Sequence, residues 1–436
     1  MTIPPTAGLL NKQAKAKLID RFRNRKMASP VVVEASRPSL AEERFADHPA
    51  YKKILLSRQV AGRFGVENPF FRVHEAAGGA TTKIGGRTCL NFASYDYLSL
   101  NRDPRLAEAA TTAMQHYGLS ASASRLVAGE RPIHQALEAA LAAHYGAQDC
   151  LTFVSGHATN VSTIATLFGP RDLVLHDELA HNSIIEGVRL SGAARRSFAH
   201  NSGQDMERLL IQARGQAERV LIVVEGHYSM DGDTPDLAAF IALKRKYGAF
   251  LMVDEAHALG VLGATGHGSF EAQGVAPQDV DIWMGTLSKT LCACGGYIAG
   301  SAAMIEILRY GAPGFVYSVG LSPPLAAAAL RALEILYAEP WRVEKLHENG
   351  KIFLDQAKAA GLDTGRAAGH AIIPILIGSS LKAVKYSQRL LEEGINVQPI
   401  IPPAVEERAA RLRFFLCTDH EPKDLARVVD RLAAFS

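Results

Sequence analysis

Phe250-Leu251-Met252-Val253-Asp254-Glu255-Ala256-His257 and, further on, Ile282-Trp283-Met284-Gly285-Thr286-Leu287-Ser288-Lys289-Thr290 are two short apolar runs that each stop on a polar cluster. An apolar run of this length, bounded by a turn, reads as a strand buried on both faces, the habit of parallel sheets. Working outward, Val220–Glu225, Leu173–His176 and Cys150–Val154 have the same form. Segments with apolar residues at helical spacing lie between the strands, Pro132 to Tyr145 and Leu237 to Tyr247 among them. Such alternation over roughly residues 85 to 330 predicts an α/β fold, with parallel strands joined by crossover helices. A different pattern follows Pro323-Pro324: an Ala/Leu-rich helix, then strand-like Ile372–Ile377 and Leu412–Leu416 beside helices at Leu381–Glu393 and Pro422–Ala434. The expected organisation is a basic, partly helical extension over residues 1–75, a large domain over 76–330 and a smaller α+β domain over 331–436. Ala41 to Gln59 is the expected helix of the extension.

Ligands in open α/β sheets gather at the carboxyl ends of the strands, where these polar clusters stand. Asp254 closes its strand and His257 follows three residues later. Lys289 has hydroxyl residues before and after it, with Thr286 and Ser288 on the approach. A lysine amine forms Schiff bases with carbonyl compounds, and hydroxyl groups hold phosphate. An acid for a pyridine nitrogen, an amine for an aldehyde and hydroxyls for a phosphate together point to pyridoxal 5'-phosphate. Taken singly, each has a plainer reading. Lys289 suits a solvated surface charge, Asp254 a helix cap and His257 a satisfied core histidine. Their order and spacing favour the joint reading.

Four further segments extend the pattern: Asn91-Phe92-Ala93-Ser94-Tyr95-Asp96-Tyr97-Leu98, Ser155-Gly156-His157-Ala158-Thr159-Asn160, Asp177-Glu178-Leu179-Ala180-His181-Asn182-Ser183 and Glu225-Gly226-His227-Tyr228-Ser229-Met230-Asp231-Gly232-Asp233. With Asp254–His257 and Thr286–Lys289 in this order, the chain from about residue 70 to 436 resembles the α-oxoamine synthase family of fold-type I pyridoxal-phosphate enzymes. The resemblance implies a large domain with a mostly parallel seven-stranded sheet and a smaller C-terminal α+β domain. It implies decarboxylative condensation of glycine, alanine or serine with an acyl thioester of coenzyme A or of an acyl carrier protein. By the same resemblance Lys289 carries the cofactor and acts as base, Asp254 pairs with the pyridinium nitrogen, and His181 stacks on the ring. Ser229 and His257 would meet its phenolic oxygen. Gly156, His157, Thr286 and Ser288 would hold the phosphate, joined by Ser318 from the second subunit of a homodimer. Arg413 matches the position that binds the amino-acid carboxylate, with Tyr95 and Asp96 nearby as substrate contacts.

The chain departs from the family pattern at Ser120 and Ala123, where glycine is usual, at His157, where Phe or Tyr is usual, and at Gly320 and Ser322 in the phosphate turn. An aminotransferase or a decarboxylase on the same scaffold is the alternative activity, because a fold does not fix a reaction.

Composition bounds the remaining classes. Of 436 residues, 48% are hydrophobic and 21% charged, the balance of a globular chain and not of a disordered one. The five cysteines are scattered and Cys292-x-Cys294 has no second Cys/His cluster, so neither a disulfide framework nor a metal site is expected. No apolar leader segment or apolar run of membrane-spanning length is evident, which places the chain in the cytoplasm by expectation. Lys12, Lys15, Lys17, Arg21, Arg23, Arg25 and Lys26 face only Asp20 near the start, interleaved with Leu9-Leu10, Leu18-Ile19 and Phe22. A cationic amphipathic helix there suits docking of an acidic acyl carrier protein; a dimer-clasping arm and a membrane-surface helix are the other readings. Aromatic interleaving of the kind nucleic-acid binders use is missing, so no nucleic-acid partner is expected.

Overall fold

The computed structural model describes residues 45–213 and 215–435. The basic stretch at Lys12 to Lys26 and residues 41–44 of the expected first helix lie outside the described residues. Among those described, the chain divides into two units between Gly65 and Val66, ten residues before the boundary read from composition. The first holds a helix at Pro49–Arg63. It starts where proline fits the first turn and where His48 Nδ1 accepts the Ala50 N–H at 3.2 Å.

In the second unit the strands, in chain order, are β1 (Thr81–Ile84), β2 (Arg87–Asn91), β3 (Asp149–Phe153), β4 (Leu173–Asp177), β5 (Ala194–Phe198), β6 (Val220–Glu225), β7 (Phe250–Asp254), β8 (Ile282–Thr286), β9 (Gly296–Gly300), β10 (Ile372–Leu376), β11 (Ile395–Asn396), β12 (Gln398–Ile400) and β13 (Arg411–Phe415). Seven of them form one sheet in the order β3-β9-β8-β7-β6-β4-β5, parallel throughout except for β9, which runs against both neighbours. This is the mostly parallel sheet of a fold-type I transferase. Side chains alternate between two cores, one on each face: Leu173, Leu175, Ile222, Val224, Leu251, Val253 and Trp283 enter the larger, while Val174, Leu221, Val223, Met252, Ile282 and Met284 enter the smaller. Burial on both faces is why these strands read as unbroken apolar runs.

The five strands read from the sequence are present, with ends shifted by at most one residue. Two members of the sheet were not read from the sequence, because their apolar content is absent or too short. β5 is an edge strand whose Ala194, Arg195, Arg196 and Ser197 are exposed, and β9 is flanked by glycines. In the C-terminal region β10, β13 and β12 form an antiparallel sheet, beside helices at Ser380–Glu392 and Pro422–Ala433. A third sheet joins β1 and β2 to β11 across some three hundred residues of sequence, so residues 81–91 pair with the C-terminal region.

Register brings the chemistry level. Glu225 is paired with Asp254 across β6 and β7, and Asp254 with Met284 across β7 and β8, so three strands end side by side.

Candidate active site

At that carboxyl end Lys289, Asp254, His181, His257, Ser229 and Arg413 line one cavity of about 320 Å³, and Gly156, His157, Thr286, Ser288 and Tyr95 also stand in its walls. Lys289 sits in the turn after β8 with Nζ 5.6 Å from the centre of the Tyr95 ring. Burial lowers its pKa to about 8, against the pull of Asp254 and Glu225, so the neutral amine is a minor form at neutral pH and the major one only above about 8.

Asp254, 4% exposed, ends β7. Its Oδ1 accepts the Ala256 N–H at 3.0 Å and its Oδ2 the Asn160 amide at 2.9 Å. The turn-capping role and the cavity role thus fall on different oxygens. Glu225, fully buried beside it, is pushed up to about 8, by burial first and then by the Asp254 charge.

His181 caps the helix Asn182–Ser191: its Nδ1 accepts the Ser183 N–H at 3.2 Å and the Ser183 hydroxyl at 2.7 Å. That places the ring proton on Nε2, and burial lowers the pKa, so the imidazole is neutral. His257 Nδ1 meets the Tyr97 hydroxyl at 2.7 Å, and its ring lies parallel to Phe415, 6.3 Å away. Burial, then the charges of Lys289 and Arg413, keep it neutral as well.

Arg413 comes from β13 of the C-terminal region. Its Nη1 donates to the Ser229 carbonyl at 2.9 Å while its Nε is buried without a hydrogen-bond partner. A guanidinium with unused donors, facing a cavity, suits a carboxylate. The phosphate-type corner is built from the N-terminus of the helix Gly156–Leu167 and the β8 turn. Thr286 Oγ1 donates to the Gly295 carbonyl at 2.9 Å and accepts the Ser288 N–H at 3.2 Å. A Cβ on Gly156 would stand 3.1 Å from Thr286 Oγ1, so glycine lets helix and turn close up.

Two expected residues lie apart from this cavity. Asp96 spends Oδ1 on the Leu100 and Asn101 N–H groups, at 2.9 and 3.2 Å, and borders an adjoining space of about 400 Å³ shared with Tyr95, Ser288 and Lys289. Ser318 lies between exposed Tyr317 and Val319, in neither cavity wall. Four of the departures from the family pattern are tied in by local hydrogen bonds: Gly320 N–H donates to the Ala123 carbonyl at 2.9 Å, Ser322 Oγ donates to the Leu119 carbonyl at 2.7 Å, and Ser120 Oγ accepts the Ser122 N–H at 3.0 Å.

Asn160 is the residue that sequence reasoning passed over. Its amide links Asp254 to Ser183, at 2.9 and 3.0 Å, and so joins the acid to the His181 helix. Its signal was available: it stands four residues after Gly156, on the same helix face.

Comparison with known proteins sets this geometry in a family. Residues 87–432 match the aminotransferase class I and II family. The 8-amino-7-oxononanoate synthase of Geobacter sulfurreducens is 42% identical over 357 residues, which cover 81% of this chain and 90% of that one. A serine palmitoyltransferase from S. paucimobilis, solved with PLP and myriocin bound, superposes with a TM-score of 0.85 at 29% identity, over 88% of this chain and 97% of that one. The chain belongs to the α-oxoamine synthase family. This α-oxoamine synthase is a pyridoxal-phosphate-dependent acyltransferase. The serine palmitoyltransferase of Sphingomonas wittichii is similar to the same extent, with a TM-score of 0.85 and 30% identity over 89% of this synthase and 97% of that chain. The cavity fits the cofactor by its own chemistry: beside a buried carboxylate and a partly neutral amine, Asn160 Oδ1, Glu225 Oε1 and Arg413 Nε are buried and lack partners.

Proposed function

We propose that this synthase joins alanine to the acyl group of a thioester, with glycine and serine as the competing amino acids. The observation that carries the reading is the convergence of Lys289, Asp254, His181 and Arg413 on one cavity. Pyridoxal phosphate, when bound there, supplies an electron sink for negative charge at the amino acid's Cα. Asp254 would pair with the cofactor's ring nitrogen. Lys289 Nζ would be the base for the Cα proton, a role typically worth roughly 10²–10⁴-fold in rate. Arg413 would hold the substrate carboxylate, and His181 Nε2–H would help to orient it. Gly156, His157, Thr286 and Ser288 would hold the phosphate, with Ser318 supplied by the second subunit of a homodimer.

The balance is one amino acid, one acyl thioester and one proton giving an amino ketone, carbon dioxide and free thiol. The bond made joins Cα to the acyl carbon; those broken are C–S and Cα–carboxylate. In the product named by the relative at 42% identity, the amino-bearing carbon and the terminal methyl are what alanine contributes, and the rest is a dicarboxylic acyl chain. The polar walls beyond Lys289, including His74, Asn91, Asp96 and Asn101, favour an acyl chain with a polar end over a long alkyl chain.

Mass spectrometry of products from glycine, alanine and serine, each offered with acyl-CoA and acyl-carrier-protein series, tests this. Alanine with a dicarboxylic thioester is expected to give an amino ketone and release its labelled carboxyl carbon as carbon dioxide. Conversion of the amino acid to a keto acid, without thiol release, would make the enzyme an aminotransferase. The basic residues Lys12 to Lys26 support a carrier protein as donor. Removing residues 1–30 is then expected to raise KM for the carrier-protein thioester several-fold at low salt, with little change at high salt or with coenzyme A thioesters.

A further inference from the structure

The loops that carry His181 and Ser229 meet on a residue outside the cavity. His200 stands two residues past β5, and its side chain is 3% exposed. Nδ1 lies 2.9 Å from Asp177 Oδ1 and Nε2 lies 2.8 Å from Asp233 Oδ2. Ionised carboxylates only accept, so both ring nitrogens must donate, and that requires the imidazolium. Asp177 closes β4 four residues before His181, and Asp233 comes four residues after Ser229. Asn201 doubles the tie: its N–H donates to Asp177 Oδ2 at 2.8 Å and its side-chain amide to Asp233 Oδ2 at 3.2 Å.

We propose that His200, as an imidazolium, is the positioning residue that holds the His181 loop and the Ser229 loop in register at the cofactor site. The inference rests on the reading of His181 and Ser229 as cofactor contacts. At its other side the Ser229 loop is gripped by Arg411, whose Nη1 donates to Asp231 Oδ1 at 2.8 Å and to the Met230 carbonyl at 2.9 Å, and by Arg413 through the Ser229 carbonyl. Two of these three cations are guanidiniums and stay charged; His200 is the one that titrates in an accessible range.

Burial by itself would lower the His200 pKa, but the hydrogen bonds to Asp177 and Asp233 outweigh it and raise the value to about 9. The other groups against it are compatible with the cation. Glu178 Oε1 accepts the His200 backbone N–H at 3.0 Å, Asp205 accepts the neighbouring Ala199 N–H at 2.9 Å, and the Tyr228 ring stands perpendicular at 4.5 Å. A pKa raised on folding means that the stabilisation is complete below the unfolded value of about 6.5. It is lost as pH rises through about 9.

The test compares cofactor dissociation from the full-length holoenzyme and from His200→Gln between pH 7 and pH 10. Glutamine cannot carry the charge, so the variant is expected to bind pyridoxal phosphate roughly tenfold more weakly at pH 7. The ratio should fall toward one at pH 10 as wild-type His200 loses its proton. A constant ratio across the range would reduce His200 to a neutral packing residue, and a ratio of one throughout would remove its role. Should the variant fail to fold, histidine-selective nitrogen NMR of the wild-type protein decides. An imidazolium signal that persists to near pH 9 supports the latch, and titration near pH 6.5 overturns it. Failure of the site reading is seen separately, as a visible cofactor band that survives in Lys289→Ala.

Discussion

The two ends of the parallel strands each carry a cavity, and the larger one has the poorer chemistry. At the carboxyl ends of β4, β6, β7 and β8 about 320 Å³ is walled by an amine, acids, imidazoles and a guanidinium. At the opposite end of β7 and β8 about 520 Å³ is walled mainly by Tyr145, Phe168, Phe250, Trp283 and Ile307. The charged residues near the larger space already have partners: Arg219 pairs with Asp172 at 2.7 Å and Asp281 with Lys244 at 2.8 Å. In the smaller, Arg413 Nε, Asn160 Oδ1 and Glu225 Oε1 are buried with none. Unspent hydrogen-bonding capacity in a buried place costs about 1–3 kcal/mol per group unless a ligand takes it up, so it marks a binding site better than volume does.

Substitutions at the two ends should therefore fail in different ways. Lys289→Ala has the largest expected effect, with loss of the visible cofactor band and a fall in kcat of at least about 10⁴-fold, since attachment and base are removed together. A band retained in that variant would move the Schiff base to another lysine. Arg413→Leu is next. It is expected to raise KM for the amino acid roughly 10- to 100-fold, the worth of a charge-assisted pair, and to change KM for the thioester little. Equal effects on both substrates in steady-state kinetics would return Arg413 to a structural role. In the reconstitution of apoenzyme, the rate of cofactor capture should rise with pH and level off above about 8, because the neutral form of Lys289 is the nucleophile. At the other end Trp283→Leu should cost about 2 kcal/mol in urea unfolding and leave kcat per folded molecule within about twofold. A large loss of kcat there would make the apolar cavity part of the site and break the contrast.

The parts legible in advance share one property, a strong local signal. The five strands buried on both faces announce themselves as apolar runs, and Asp254 and Lys289 stand where those runs stop. β5 was silent because an edge strand needs only Phe198 inside and exposes Arg195 and Arg196. The pairing of β2 with β11 was silent because the two lie so far apart in sequence that no local period records it, whereas β1 and β2 form a local hairpin about Gly85-Gly86 that the sequence reading passed over. The count of seven strands entered through resemblance and not through periodicity, and the reversed direction of β9 came only with the structure. Asn160 was quoted within its motif and still missed, because an amide has no chemistry of its own to advertise until Asp254 and Ser183 are seen beside it.

By itself, the sequence determined the class of fold, the strand ends on which acid and amine sit, and the cofactor that those residue types in that order can hold. These follow from hydrophobic period and side-chain chemistry, which are properties of short segments. Only the tertiary structure decided that Arg413 reaches the cavity from β13 and that His200 bridges Asp177 and Asp233. It likewise decided that Glu225 is fully buried beside Asp254 and its carboxyl pushed up to about 8. Each of these depends on distance and on exclusion of water between segments remote in sequence, and both arise only when the chain closes on itself.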